Sequence, residues 1–118
     1  MNKIYMKDIK NLCNCIVGLS CQTIRTNKKG AFNKGCIYSC TIYPYGNCIT
    51  FHFTESEHRT FYSYSKKFMY EQLLIYYKKG INNWIELYDN DSFKAKKEKK
   101  RINYHINKLN EFERLLND

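Results

Sequence analysis

Histidine and cysteine are the residues of this chain that could hold a metal ion or attack a substrate. His52 and His58 lie six positions apart, and spacing places no third ligand beside them. The six cysteines are Cys13, Cys15, Cys21, Cys36, Cys40 and Cys48. No two of them have the C-x-x-C spacing of a zinc knuckle. We therefore predict no metal site and no cofactor, and we interpret the cysteines as small buried side chains with free thiols.

Nucleophilic catalysis would need a cysteine within hydrogen-bond reach of a histidine, and Cys48 with His52 is the nearest pair. On one extended strand their positions are about 13 Å apart, which forbids such a bond. The carboxylates in the middle of the chain include Glu55, Glu57, Glu71, Asp89 and Asp91. Their spacing suits turns and helix caps better than a two-metal site, and there is no glycine-rich phosphate loop. We predict a non-enzymatic protein.

The basic residues carry more information about function. The chain of 118 residues has 20 Lys or Arg against 11 Asp or Glu, a net charge of +9. This excess favours nucleic acid or a nucleoprotein complex as the partner. Because 16 of the 20 are lysines, we expect point-charge contacts with phosphates and little reading of bases. The candidate contact residues are Lys28, Lys29, Lys34, Lys66, Lys67, Lys96, Lys97, Lys100 and Arg101.

Two basic regions compete for the main contact. The run from Lys94 to Arg101 holds six basic residues in eight positions. Residues 1–54 hold seven basic residues and one acidic residue, so the larger excess lies in the first half. We therefore expect charge reversal in the loop 27–35 to weaken binding more than reversal at Lys96 or Lys100.

The first elements predicted are a helix, a strand and a loop. Apolar residues at helical spacing indicate a helix over residues 7–17, and Gly18 stands where a helix would end. Residues 21–26 are typical of a strand. Two glycines and three lysines then mark residues 27–35 as a loop.

A hairpin of strands 36–43 and 48–54 around the turn 44–47 is the clearest local prediction. Pairing Tyr43 with Cys48 fixes the register, since a slip of one residue would exchange the two faces. In this register the apolar face consists of Tyr38, Cys40, Ile42, Ile49, Phe51 and Phe53.

Helices dominate the second half of the chain. Residues 60–64 can form a further strand, after which Ser65 caps a helix that ends at Gly80. Residues 83–88 are predicted to form a separate helical turn. The last helix starts near Ser92, and its apolar stripe consists of Ile102, Ile106, Leu109, Phe112 and Leu116.

These elements predict one α+β domain over residues 1–118. A three- or four-stranded antiparallel sheet is packed by helices in the order α-β-β-β-(β)-α-α, with a long C-terminal amphipathic helix whose start, residues 92–101, projects as a basic arm. The beginning of the sequence shows no secretory signal, and no apolar run approaches the roughly 20 residues that cross a bilayer. We expect no membrane association and a cytoplasmic location, where thiols stay reduced.

The order of helix, three strands and helix resembles a double-stranded-RNA-binding domain, with a lysine-bearing loop after the first strand and Ser65-Lys66-Lys67 opening the second helix. The resemblance covers about residues 7–79. It implies that Lys28, Lys29, Lys34 and the two lysines of the second helix contact phosphates. The loop lacks the proline and histidine of that family, so the chain is not assigned to it.

Two other classes of function stay open. The size, the content of Lys and Tyr and the lack of catalytic motifs resemble inhibitors that phages and mobile elements encode against host defence proteins, such as CRISPR-type nuclease effectors. A structural homo-oligomer is the second alternative, with the apolar stripe of the last helix as its seam. The sequence leaves the partner and the oligomeric state undetermined.

Overall fold

The computed structural model describes residues 3–21, 31–43, 48–63, 65–88 and 92–117, without the side chains of residues 21, 87, 88 and 92–97. The helices are α1 (Met6–Cys21), α2 (Lys66–Tyr88) and α3 (Ser92–Asn117), and the strands are β1 (Ile37–Tyr43), β2 (Cys48–Phe53) and β3 (His58–Tyr62). Over these ranges the sheet has three antiparallel strands in the order β1-β2-β3. The predicted α+β class and the order α-β-β-β-α-α are confirmed.

The hairpin register is confirmed over most of its length. Tyr43 pairs with Cys48, and the pairs that follow from this one continue to the middle of the strands. At the far end a β-bulge inserts Tyr38, so Phe53 pairs with Ile37 and not with Tyr38 as predicted. The extra residue reverses the alternation of faces, and Ile37 is buried while Tyr38 is exposed.

The helices cover one face of the sheet, where the inward-facing side chains of β1 and β2 are apolar. Helix α1 contacts β1 and α2, and α3 packs against α2. The ring of Tyr76 on α2 lies 5.7 Å from the ring of Phe51 and 5.3 Å from that of Phe61, which joins α2 to β2 and β3. The other large side chains fully buried between the helices include Trp84, Tyr70 and Tyr77.

Helix α1 runs through Gly18 to Cys21, so the predicted end at Gly18 is wrong. The added turn buries Leu19 and Ser20 completely. The Ser20 hydroxyl also accepts a hydrogen bond of 2.6 Å from the Ile37 N–H, which ties the end of α1 to β1. This packing outweighs the low helix propensity of glycine. Of the strand predicted over 21–26, Cys21 is helical and residues 22–26 lie outside the described residues.

Helix α2 is likewise continuous through Gly80, where the sequence predicts an end and a separate turn over 83–88. The reason for glycine here is the close approach of Phe32. A Cβ atom at Gly80 would lie 2.4 Å from the ring carbon Cζ of Phe32. The glycine therefore makes room for an aromatic ring, and the buried side chains on either side keep the helix intact.

The link from β3 into α2 follows the sequence closely. Strand β3 begins at His58, two residues before the strand predicted over 60–64, and it supplies the third strand of the sheet. Ser65 caps α2 as predicted, because its hydroxyl accepts a hydrogen bond of 3.3 Å from the Phe68 N–H.

Helix α3 packs along α2 through its predicted apolar stripe. Leu109 is buried, and the other members of the stripe are partly buried against the core. The Tyr70 hydroxyl donates a hydrogen bond of 2.7 Å to the Phe112 carbonyl. The projection of residues 92–101 as an arm stays a prediction. None of the described helices is long and apolar enough to cross a membrane.

Candidate nucleic-acid interface

A cleft of about 360 Å³ opens between the segment 31–35, strand β3 and one face of α2. We name it the cation–aromatic cleft. It is lined by Phe32, Asn33, Lys34, Phe53, Arg59, Phe61, Gln72, Ile75, Tyr76, Lys79 and Asn83. Three of these side chains are cationic and four are aromatic.

Helix α2 forms one wall because the spacing of its polar residues places them on one face. Gln72, Tyr76, Lys79 and Asn83 follow one another at intervals of four, three and four residues. The neighbouring face of the helix carries the residues that pack against α3. One helix therefore contributes to the core and to the cleft.

The segment 31–35 forms the opposite wall and is held there by two contacts with α2. The Phe32 ring lies 4.5 Å from the ring of Tyr76. The side-chain amide of Asn83 donates a hydrogen bond of 3.0 Å to the Ala31 carbonyl. Gly35 has a φ of 99°, a conformation that favours glycine, and its N–H donates to the Phe32 carbonyl at 3.1 Å. This turn directs the chain into β1.

Arg59 lies on the inward side of β3 and rests on two aromatic rings. Its guanidinium carbon is 5.4 Å from the centroid of Phe61 and 5.1 Å from that of Tyr76, within the range of cation–π attraction. No carboxylate among the described residues pairs with Arg59, and its side chain is exposed. The guanidinium is held in place and keeps its donors for an anionic ligand.

Tyr76 stays protonated beneath this guanidinium. Burial raises the pKa of Tyr76 to about 12, and the positive charge of Arg59 opposes part of that rise. At neutral pH the cleft therefore keeps the full charge of its cations, uncompensated by a phenolate.

The remaining cations, Lys34 and Lys79, are exposed. The Lys34 ammonium is 3.6 Å from a carboxylate oxygen of Glu57, and such a surface ion pair contributes about 0–1 kcal/mol. An anionic ligand can therefore compete for Lys34. Lys79 has no carboxylate partner among the described residues.

Of the predicted contact residues whose side chains the structure describes, Lys34 alone lines the cleft. Lys66 and Lys67 begin α2, about 20 Å from Lys79 along the helix axis, and Lys67 forms an ion pair of 3.7 Å with Glu71.

The other predicted residues fall elsewhere or outside the description. Lys100 is exposed on α3, and Arg101 lies 3.4 Å from the Glu98 carboxylate. Lys28 and Lys29 lie outside the described residues, as do the side chains of Lys96 and Lys97. The described residues thus do not join the predicted groups into one surface.

Arg59 and Lys79 were missed from the sequence. The strand predicted over 60–64 leaves out Arg59, whereas Arg59 lies in β3 opposite Phe51. The sequence contains a signal for this position. Arg59 precedes Phe61 by two residues, and residues two apart in a strand lie on the same face of the sheet. For Lys79 the signal was its helical spacing from Gln72.

A separate cluster surrounds His105 between α2 and α3. The Tyr77 hydroxyl shares a hydrogen bond of 2.5 Å with Nδ1 of His105, and the Trp84 ring lies 6.0 Å from the imidazole. Burial lowers the pKa of His105 to about 4, and burial raises the pKa of the nearby Cys15 thiol. A neutral imidazole and a protonated thiol suit packing better than acid–base chemistry.

The residues singled out for metal chemistry occupy the sheet. His52 and His58 are cross-strand neighbours on the face away from the helices. Over the described residues no group of three His, Cys, Asp or Glu side chains could hold a metal ion. The described cysteines Cys13, Cys15, Cys36, Cys40 and Cys48 form no disulfide bond with one another.

Comparison of the chain with protein-family models, curated proteins and solved structures finds no match. The resemblance to a double-stranded-RNA-binding domain expects lysines between neighbouring strands of the sheet. In the part of the chain that the structure describes, residues 31–35 precede β1. Residues 44–47, which link β1 to β2 in the sequence, contain no lysine.

Proposed function

We propose that this protein is a non-enzymatic, cytoplasmic nucleic-acid-binding protein that holds phosphates in the cation–aromatic cleft. The observation that carries the proposal is the convergence of Lys34, Arg59 and Lys79 in one cleft with aromatic walls. Only one of the three, Lys34, has a carboxylate partner among the described residues. The cleft therefore carries net positive charge.

The chemistry of the three cations fits phosphate. The guanidinium group of arginine can bind two phosphate oxygens at once. Because the Arg59 side chain already packs on Phe61 and Tyr76, it loses less conformational entropy when it binds a phosphate. The two lysines add point charges. Contacts of this kind fix the position of a backbone without reading its sequence, and the net charge of +9 attracts a polyanion over longer distances.

The lysines predicted from the sequence extend this proposal. Lys28 and Lys29 are separated from the segment 31–35 by one residue, Gly30. We propose that they add phosphate contacts next to Lys34, while Lys66, Lys67 and residues 96–101 contribute long-range attraction.

The test is fluorescence anisotropy with a labelled strand and the variant Arg59→Ala/Lys79→Ala. The matched control is Lys10→Ala/Arg114→Ala, which removes the same two charges from exposed positions outside the cleft. We expect the cleft variant to raise the Kd at least tenfold and the control to raise it less than threefold. Equal effects in the two variants would exclude the cleft as the binding site.

The salt dependence of the Kd, measured in the same assay, is a second test. Three phosphate contacts predict that the Kd rises at least about 20-fold between 50 and 200 mM salt. A Kd that barely changes over this range would contradict binding through phosphates.

A protein partner is the second candidate function, and the open face of the sheet favours it. We define the open face as Ser39, Thr41, Tyr43, Cys48, Thr50, His52, His58, Thr60 and Tyr62, with Tyr38 beside it. None of these residues is Lys, Arg, Asp or Glu, although 26% of the chain is charged. The exposed fractions of Tyr38, Tyr43 and Tyr62 are 58%, 47% and 76%.

Interface cores are poor in charge and rich in tyrosine, as this face is. An inhibitor of a host defence protein, encoded by a phage or mobile element, would use such a surface. Capture from a bacterial lysate treated with nuclease separates the two candidates. A partner that stays bound after digestion, and is lost in Tyr43→Ser/Tyr62→Ser, would support the protein-binding function.

The structural homo-oligomer gains no support from α3. Its apolar stripe packs on the core of the same chain, and the Phe112 ring lies 6.4 Å from that of Tyr70 and 6.2 Å from that of Tyr77. A seam between copies would have to use another surface.

A further inference from the structure

We propose that the cation–aromatic cleft accepts one unpaired nucleotide, so that the protein prefers single strands to duplexes. This inference rests on the proposed function and names its ligand more narrowly. The base would stack on Arg59, and Lys34 and Lys79 would hold the flanking phosphates.

The size of the cleft favours a single nucleotide. A volume of about 360 Å³ lies at the lower end of the range for small-molecule pockets, roughly 300–1,000 Å³. Bases in a duplex are stacked and paired, so a duplex could offer this cleft only its phosphates. An unpaired nucleotide can also place its base against the aromatic wall.

Arg59 provides the stacking surface. One side of its guanidinium rests on Phe61 and Tyr76, and the side chain is exposed and lines the cleft. A base on the other side would complete a sandwich of base, guanidinium and aromatic ring. Unpaired bases are commonly bound by stacking on arginine planes and aromatic side chains.

The side-chain amides of Asn83 and Gln72 also line the cation–aromatic cleft. Asn83 uses its amide N–H₂ to hold Ala31, which fixes the orientation of the side chain and leaves its carbonyl oxygen as an acceptor. Gln72 lies on the same face of α2. The cleft therefore combines the three groups that a nucleotide needs, which are cations for phosphate, a flat surface for the base and amides for the base edge.

The first test compares a labelled single strand with its duplex at one salt concentration. We expect wild-type protein to bind the single strand at least tenfold more tightly. Arg59→Lys keeps the charge but removes the flat surface and the two-pronged phosphate contact. Both nucleic-acid forms lose the phosphate contact and only the single strand loses base stacking, so single-strand affinity should fall about tenfold more than duplex affinity. Arg114→Lys makes the same chemical change at an exposed position on α3 and should change neither.

Competition provides a readout that needs no variant. Adenosine monophosphate should displace the labelled single strand at concentrations where inorganic phosphate does not, because the base adds stacking. Equal displacement by both compounds would overturn the inference, as would equal affinity for single strand and duplex with no effect of Arg59→Lys. Both results leave the proposed function intact. Absence of salt-sensitive binding to either form would instead refute the proposed function.

Discussion

Acid should destabilise this protein through His105. Burial lowers the pKa of His105 from 6.5 to about 4 in the folded state. Between these values the unfolded chain binds the proton and the folded chain does not. The stabilising contribution is therefore complete above pH 6.5 and is lost as the pH falls toward 4. The difference in pKa corresponds to about 3 kcal/mol of unfolding free energy.

The surroundings of His105 explain the direction. The imidazole shares a hydrogen bond with the Tyr77 hydroxyl and meets the rings of Trp84 and Tyr104 edge-on. Cys15 lies beyond Tyr77 on α1, and burial keeps its thiol protonated. Burial lowers the pKa because the charged imidazolium would lose its hydration in this site.

The assay is urea denaturation of wild type and His105→Gln at pH 7 and near pH 4. The glutamine side chain of the variant does not titrate, so the variant measures the acid sensitivity of all other groups. For each protein we compare the unfolding free energy at pH 7 with that near pH 4. Any loss of stability that the substitution itself causes at both pH values therefore cancels. We expect wild type to lose about 3 kcal/mol more than the variant over this range. Equal losses, or an NMR titration of His105 with a midpoint near 6.5, would refute the reasoning.

Three substitutions test the packing that positions the cleft. Gly80→Ala should destabilise by about 1–3 kcal/mol in urea denaturation, because the new methyl group would meet the Phe32 ring. Gly18→Ala is its control, since nothing lies within 4 Å of a Cβ there, and it should stabilise by about 0.5–1 kcal/mol. A gain at both glycines would show that Phe32 does not approach α2. Ser65→Ala should cost about 1 kcal/mol through loss of the cap to Phe68, and an unchanged urea midpoint would contradict that cap.

The sequence predicted the elements whose signals are local. The alternation of the hairpin strands gave the correct pairing of Tyr43 with Cys48, because a slip would bury polar side chains. The cap at Ser65 and the stripe of α3 follow from spacing alone. Each of these features is determined by residues that are close together in the sequence.

The errors arose where distant residues decide the outcome. Glycine commonly follows the end of a helix, which is why the sequence predicts helix ends at Gly18 and Gly80. Buried side chains beyond each glycine instead keep α1 and α2 continuous. The bulge at Tyr38 moves Ile37 into the core, a shift that alternation cannot reveal. These positions depend on tertiary packing.

The candidate site was the least predictable part. Basic runs identified Lys34, but Arg59 and Lys79 are single charges on separate elements that only folding brings to one cleft. Local charge density favoured Lys94–Arg101, although a binding site depends on the spatial arrangement of charges and not on their order in sequence.

The most direct test of the central claim is a map of the bound surface. Backbone NMR shifts recorded while a short single strand is titrated into the protein report which elements it touches. We expect the changes to cluster on the segment 31–35, on β3 around Arg59 and on residues 72–83 of α2. Changes confined to the open face of the sheet or to residues 98–101, with none in the cleft, would contradict it.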